Sequence, residues 1–292
     1  MTQVIVTGLL IGGVLALLSS GLTLIFGVMR VVNFAQGEFV MLGMYLALLL
    51  VYLFKPEYPQ ILTPIVFAAF FILGAVVYWL TIRFVTGERF VGARGHDAQL
   101  ILTLGISLVL QNGAMMFLGA KPHLLESSFS GAWTLQGILF NKPRTIGFAV
   151  AALFIAGLIW FLQYSRTGLM LRATAEDSEA ATYMGIDVGR SHALAFSVGT
   201  ALAGVGGTVL ATFYPVQPYV GEDFIVLMFV AVVLGGLGSV TGAVYGGLLI
   251  GLTQAVTPML LPFELQNMGV FILFLLVLYF RPQGLFGKAG RV

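Results

Sequence analysis

Charged residues are scarce in this chain of 292 residues. Only 9% of them are Asp, Glu, Lys or Arg, whereas a soluble domain has about a quarter. Hydrophobic residues make up 59%, and the mean hydropathy is +1.01. This composition excludes a soluble globular domain and predicts an integral membrane protein. The net charge of +2 is small and the basic residues do not cluster with aromatic ones, so no nucleic-acid partner is expected.

Cysteine is absent altogether. Its absence excludes disulfide bonds, thiol catalysis and thiolate metal sites. The histidines, His96, His123 and His192, are far apart in the sequence, so no metal site is expected. No Lys or Arg precedes the first apolar run, which argues against a cleaved signal peptide and for a retained first membrane span.

Long apolar runs recur along the chain. A helix needs about 20 apolar residues to cross the roughly 30 Å hydrocarbon layer. Candidate spans lie at residues 4–28, 34–54, 61–82, 98–118, 144–164, 193–213 and 266–281. Residues 224–257 are also apolar, but "GGLGSVTG" (235–242) interrupts them, so the first piece is either a short crossing or half of a re-entrant pair. We therefore expect one transmembrane domain over residues 1–292, an all-α polytopic helix bundle with about 8–9 membrane segments that include this broken or re-entrant pair.

The basic residues predict the orientation, because Lys and Arg near span ends are retained on the cytoplasmic side. An external N-terminus and a cytoplasmic C-terminus place ten of the 14 basic residues inside and four outside. The inner set is Arg30, Arg83, Arg89, Arg94, Arg166, Arg172, Arg190, Arg281, Lys288 and Arg291, and the outer set is Lys55, Lys121, Lys142 and Arg144.

Glycine is abundant, with 37 residues, and many glycines are four residues apart. Such steps let helix backbones approach closely in lipid. They pack helices either within one subunit or against another membrane subunit. The steps are Gly8/Gly12, Gly238/Gly242/Gly246 and Gly247/Gly251.

If this membrane protein is a transporter, its sequence offers no energy source of its own. Ion-coupled carriers and channels place ionisable residues inside their spans, and here only Glu38, just inside the second span, is a plausible example. No G-x-x-x-x-G-K-[ST] phosphate loop occurs either. If ATP drives transport, the ATPase is a separate chain.

One polar stretch, "RATAEDSEAATYMGID" (172–187), interrupts this apolar background on the predicted cytoplasmic side. Residues 174–184 are expected to form one alanine-rich helix lying along the membrane surface. Glu176 and Asp177 near its start complement the positive helix end, and Gly185 lies where a C-cap would be. Composition alone allows a solvated connector equally well.

The motif "EAATYMG" (179–185) matches the E-A-A-x-x-x-G pattern that permease subunits of ABC importers present to their ATPases. The whole chain resembles one branch, the permease family of branched-chain amino-acid importers of the LivH type. The stretches that carry the resemblance are "VVNFAQGEFVMLGMY" (31–45), the polar stretch, "GGLGSVTGAVYGG" (235–247) and "RPQGLFG" (281–287). The I-x-L-P that follows the motif in other importer classes is absent, and "ALAF" (193–196) occupies that region.

The resemblance implies a permease subunit in the inner membrane of a bacterium that hydrolyses nothing itself. Its partners would be a second related permease, two cytoplasmic ABC ATPases that bind ATP and Mg²⁺, and a periplasmic or extracellular solute-binding protein. The chain itself would carry no cofactor. Because the binding protein largely sets specificity in such importers, the solute is left open, with leucine-like amino acids as the family default.

The resemblance also implies a coupling-helix loop at about residues 165–192. In this interpretation, small residues allow close approach to an ATPase cleft, acids face donors there, and Gly168 and Gly185 form flexible ends. Glu179 and Ala180 are expected to be exposed. The coupling set is Arg172, Glu176, Asp177, Glu179, Ala180, Ala181 and Gly185.

Candidate pathway residues lie at the first break and in the fourth span. Irregular backbone at membrane depth is tolerated only where it is buried in protein or lines a cavity. Asn33 and Gln36 either form a capping box for the second span or, with Glu38, a polar collar at the inner mouth of the path. Gln111 and Asn112 either contact solute or hydrogen-bond between helices.

A self-sufficient channel or facilitator for a small solute is the alternative function. It would use the same glycine-rich bundle. The E-A-A-x-x-x-G motif favours the importer, since a facilitator has no ATPase to contact.

Overall fold

The computed structural model describes residues 1–86, 93–125, 131–135 and 137–287. Within these residues the chain forms a helix bundle with one small β-hairpin. The helices are α1 (Thr2–Met29), α2 (Gln36–Phe54), α3 (Thr63–Leu80), α4 (Ala93–Leu118), α5 (Lys142–Tyr164), α6 (Arg166–Glu176), α7 (Ser178–Tyr183), α8 (Val188–Leu210), α9 (Val220–Gly235), α10 (Val240–Val256) and α11 (Gln266–Phe280). The hairpin pairs β1 (Ala132–Leu135) with β2 (Ile138–Asn141), antiparallel.

Within the described residues, seven helices are long and apolar enough to cross a membrane, so the protein is a multi-pass membrane protein. They are α1, α2, α3 with its flanking turns, α4 from Asp97, α5, α8 and α10 with the turn that follows it. α9 and α11, with 16 and 15 residues, are shorter apolar helices. The predicted all-α polytopic bundle is confirmed, whereas the hairpin was not predicted, and the predicted span at residues 266–281 is a helix of only 15 residues.

α1 and α8 form the centre of the bundle, and almost all of α8 is buried. Glycines make this possible, because a helix face without side chains lets a neighbouring backbone approach. A Cβ on Gly12 would lie 2.9 Å from the Cα of Leu248 in α10, and one on Gly43 of α2 would lie 2.8 Å from the Cα of Gly204 in α8. The predicted glycine steps therefore pack helices within this subunit.

α2 begins half-way along α8 rather than at its end. The Gln36 side-chain amide donates to the Gly199 carbonyl at 2.9 Å, and Gly199 is the middle residue of α8. α1 ends at Met29, so residues 30–35 return towards the bundle centre without helical structure. Val31, Asn33 and Ala35 in this segment are buried, as irregular backbone at membrane depth must be.

α9 begins at the same level. The backbones of Gly37 and Gly221 pack against each other, so the first turns of α2 and α9 touch. From this point the 16 residues of α9 rise only about 24 Å. Its last residue, Gly235, packs against Gly242 of α10 across a tight turn in which Gly236 has a φ of 102° and Gly238 a φ of 81°. α9 is therefore the re-entrant half of the broken pair.

The bundle has two distinct ends. At the hairpin end, the Gln3 side chain bonds the backbone of Leu139 in β2, at 2.7 and 2.9 Å. At the opposite α6–α7 end, the α9–α10 turn contacts the C-terminal segment, where the Leu285 N–H donates to the Leu234 carbonyl at 2.8 Å. The start of α1 and the segment after α11 consequently lie at opposite ends. Arg89, Lys288 and Arg291 of the predicted inner set lie outside the described residues.

Replacing Gly207 by Ala should destabilise the bundle. Its Cβ would meet the Val40 carbonyl and lie 3.0 Å from the Met44 nitrogen, both of them backbone atoms of α2. Overpacking of this kind costs about 1–3 kcal/mol. We expect a lower thermal unfolding midpoint in detergent. Gly157→Ala is the matched control, because nothing lies within 4 Å of its Cβ position and alanine is the better helix former. Equal midpoints for the two variants would contradict this packing.

Candidate functional site

The segment between α5 and α8 folds as two short helices, and the predicted single helix over residues 174–184 is wrong. Asp177 separates them with an extended backbone, φ −152° and ψ 110°. Its Oδ1 accepts from the Glu179 and Ala180 N–H groups at 2.9 and 3.0 Å, which caps the start of α7. An aspartate competes with helix continuation in this way because its short side chain bonds nearby backbone groups.

α7 ends as the sequence predicts. Gly185 has a φ of 82°, its N–H donates to the Thr182 carbonyl at 2.9 Å, and no atom lies within 4 Å of its Cβ position. Gly168 is different, and its predicted role as a flexible end is wrong. It lies inside α6, where a Cβ would be 2.7 Å from the Cα of Leu162. Only the Gly185 end is free of close packing.

The coupling segment, residues 176–185, presents a mixed polar and apolar surface at the α6–α7 end. Glu179 and Ala180 are exposed as predicted. Ala181, by contrast, is only 4% exposed, so its side chain is buried within this subunit. Tyr183 and Met184, which the sequence interpretation missed, are 80% and 83% exposed. The Tyr183 hydroxyl donates to Glu179 at 3.0 Å. This i,i+4 spacing was the available signal.

Arg172 and Glu176 lie on α6, away from the α7 tip. They line a cleft of about 610 Å³ between α6, the α9–α10 turn and the C-terminal segment. The Arg30 guanidinium, just after α1, reaches the Glu176 carbonyl at 3.4 Å. Leu171 and Thr174 bury the inner face of α6. The predicted coupling residues are thus divided between the exposed tip of α7 and a cleft against the bundle.

The predicted capping box at Asn33 and Gln36 does not form, because Ala35 is the N-cap of α2 and no side chain caps the helix. The Asn33 side chain instead accepts from the Ala35 N–H at 3.1 Å and donates to Gln36 Oε1 at 3.2 Å. Since the Gln36 amide also bonds Gly199, both side chains are used to hold α2 against α8. Both are buried.

Glu38 is 2% exposed, although it carries a carboxylate in the first turn of α2. Its Oε1 accepts from the Ser107 hydroxyl at 3.2 Å. Its Oε2 lies 2.9 Å from the position of a Cβ on Gly221, at the start of α9. Among the described residues, this second oxygen has no hydrogen-bond partner.

The junction is the place where the first turns of α2 and α9 meet, at Gly37 and Gly221. Gln111 lies at this junction, and Asn112 does not. The Gln111 amide donates to Glu222 at 2.6 Å, whereas the Asn112 amide bonds its own helix at Leu108, on an exposed face. Glu222 and Asp223 were missed because they precede the apolar run and resemble loop residues. Both form the first turn of α9. The described residues contain no group of three His, Asp or Glu placed to hold a metal ion.

Comparison with known proteins agrees with this architecture. The family model for the permease component of branched-chain amino acid transport systems matches residues 4–279. The high-affinity branched-chain amino acid permease protein LivH of Escherichia coli K12 is 31% identical, with 98% of this chain and 95% of that protein covered. The corresponding BraD protein of Pseudomonas aeruginosa is 33% identical with the same coverage. No solved structure matches the chain.

The family match covers nearly the whole chain, and the relatives align over nearly their whole length. The break after α1, the polar loop between α5 and α8, and the α9–α10 turn all lie inside the matched region. The chain belongs to the family of permease components of branched-chain amino acid transport systems.

Proposed function

We propose that this chain is the membrane-spanning permease subunit of an ATP-driven importer that carries branched-chain or other small hydrophobic amino acids. The observation that carries the proposal is the exposed α7 tip on a chain that belongs to this permease family. The exposed side chains of Tyr183 and Met184 add apolar area to this polar tip, which suits a contact with a protein partner. An ATPase that binds there could move the bundle through α6.

The partners in this proposal are a second related permease, two cytoplasmic ABC ATPases and an external solute-binding protein. ATP and Mg²⁺ are bound by the ATPases, and this chain provides no hydrolytic site. The inner-membrane orientation puts the α6–α7 end in the cytoplasm and the hairpin end outside. The basic residues support it, because Arg166, Arg172 and Arg190 surround the coupling segment.

The solute passes, in this proposal, at the junction where α2 and α9 begin. Broken helices are the usual building elements of transporter sites, because their ends bring backbone dipoles to membrane depth. Asn33 and Gln36 hold the junction together, Glu38 and Gln111 lie beside it, and Asn112 faces away from it. Of the predicted pathway residues, Glu38 and Gln111 are therefore the ones we place nearest to the solute.

ATP-driven uptake in proteoliposomes tests the function. The chain is reconstituted with its partner permease, both ATPases and the binding protein. Labelled leucine should accumulate only when the binding protein is at the hairpin end and ATP is at the α6–α7 end. The same vesicles with a non-hydrolysable ATP analogue are the control. Leucine equilibration without ATP would support the facilitator instead, and uptake with the two sides exchanged would overturn the orientation.

Ala180→Trp tests the coupling segment. The indole would overpack an ATPase cleft while leaving the exposed α7 tip folded, and we expect at least about a tenfold loss of ATPase co-purification. Glu179→Lys should act in the same direction by placing a positive charge where the partner meets an acid. Thr134→Trp, also exposed but at the hairpin end, is the matched control. If Ala180→Trp retains ATPase binding and uptake, the segment is only a connector.

A further inference from the structure

Two acids lie on an open face of the bundle within its membrane-spanning part, displaced from the middle towards the hairpin end. Glu222 and Asp223 are both exposed. Their helix, α9, starts beside Gly37. The preceding residue, Gln36, donates a hydrogen bond to Gly199, the middle residue of α8. α4 gives further depth markers. Ser107, which donates a hydrogen bond to Glu38, lies half-way along its membrane span, and Gln111, which donates to Glu222, lies one turn nearer the hairpin end. Carboxylates at this depth cannot face lipid and must face a polar cavity or a partner.

A third acid approaches them from another helix. Glu38 comes from α2, is almost completely buried, and aims the unpartnered Oε2 at the first turn of α9. An unpaired carboxylate in this position is costly unless a proton or a nearby cation neutralises it. Gln111 fixes the Glu222 carboxylate through its 2.6 Å hydrogen bond. Negative charge is thereby concentrated at one point where two helices begin.

The helices that form this site do not supply a balancing cation. No Lys or Arg occurs between Arg30 and Lys55, between Arg94 and Lys121, or between Arg190 and Arg281, and these intervals contain α2, the α4 span and α9. A second copy of the chain would bring none to this depth either. A shared metal ion is not favoured, because the described acids do not form a group of three that could hold one. The missing charge is therefore best matched by an organic cation with several donors.

We propose that Glu222 and Asp223 bind the ammonium group of the amino acid as it crosses the membrane, and that Glu38 adds negative charge from the buried side of the site. An ammonium group has three N–H donors and no acceptor, so it suits a site made of carboxylates. Gln111 is a positioning residue that orients Glu222. This inference rests on the proposed function for the identity of the solute, but the site is defined by the acids of this chain.

Binding of the two halves of leucine tests the site directly. The probes are 3-methylbutylammonium, which keeps the ammonium group, and 4-methylpentanoate, which keeps the carboxylate. They are added to the assembled membrane complex without binding protein, and the thermal unfolding midpoint is followed. The ammonium probe alone should raise the midpoint. Glu222→Gln and Asp223→Asn should each raise the probe concentration needed for a given shift of the midpoint about tenfold. Glu264 is an exposed acid away from the junction, so Glu264→Gln should leave this concentration unchanged.

Uptake provides the second measurement. Because leucine, isoleucine and valine share the ammonium group, Glu222→Gln should lower the maximal uptake rate of all three by the same factor, about tenfold. Gln111→Leu should lower it less, and Gln111→Glu should not rescue it, since a carboxylate cannot donate to Glu222.

Several results would overturn the inference. In the binding measurement, they are an equal rise of the midpoint with both probes, a rise with the ammonium probe that survives Glu222→Gln, or a rise with Na⁺ as large as that with the ammonium probe. A further such result is loss of the partner permease from the Glu222→Gln complex. The last would mean that the acids hold a protein partner. Failure of the proposed function is distinct, because selective binding of the ammonium probe without ATP-driven uptake by the wild type leaves the site intact. ATP-driven uptake without that selectivity removes the site and leaves the function.

Discussion

Two helices, α2 and α9, begin inside the bundle, and the packing around them follows from the need to satisfy their first turns. The first backbone N–H groups of a helix have no partner within the helix, and at membrane depth water does not satisfy them freely. The start of α2 is enclosed by protein, whereas the first turn of α9 is enclosed on one side and carries its acids on an exposed face. Gln36 bonds the centre of α8, and the glycines at positions 37 and 221 let α2 and α9 touch. Without side chains at these two positions, the junction can close.

This junction is connected to the coupling segment by a short path. Arg30 contacts the carbonyl of Glu176 at the end of α6, and α2 begins six residues after Arg30. The intervening segment is not helical, so it can transmit a displacement without breaking a helix. A movement of α6 towards or away from the bundle would therefore reach the acids at the start of α2 and α9. We regard the glycine-packed pair of α1 and α10 as the frame against which this movement takes place.

The membrane spans were predictable because each is an apolar run of sufficient length, and the α9–α10 break was visible as a cluster of glycines. The depth of the junction was not, because the segment before Gln36 looks like an ordinary loop and its position depends on a contact with Gly199, far away in sequence. Asp177 was predicted to support one helix, yet its side chain bonds two backbone N–H groups and separates two helices. Glu222 and Asp223 were overlooked because sequence alone does not show that their turn is inside the membrane.

If solute passes at the start of α9, the acids there must face water at membrane depth. The chain has no cysteine, so one can be introduced as the only reactive thiol of this subunit. In the assembled importer, the Asp223→Cys variant is compared with Leu153→Cys, which is exposed at the middle of α5. A water-soluble methanethiosulfonate reagent should modify the first variant and leave the second unmodified. If the two variants are equally unreactive, the start of α9 faces lipid or is sealed, and the account of the pathway is wrong.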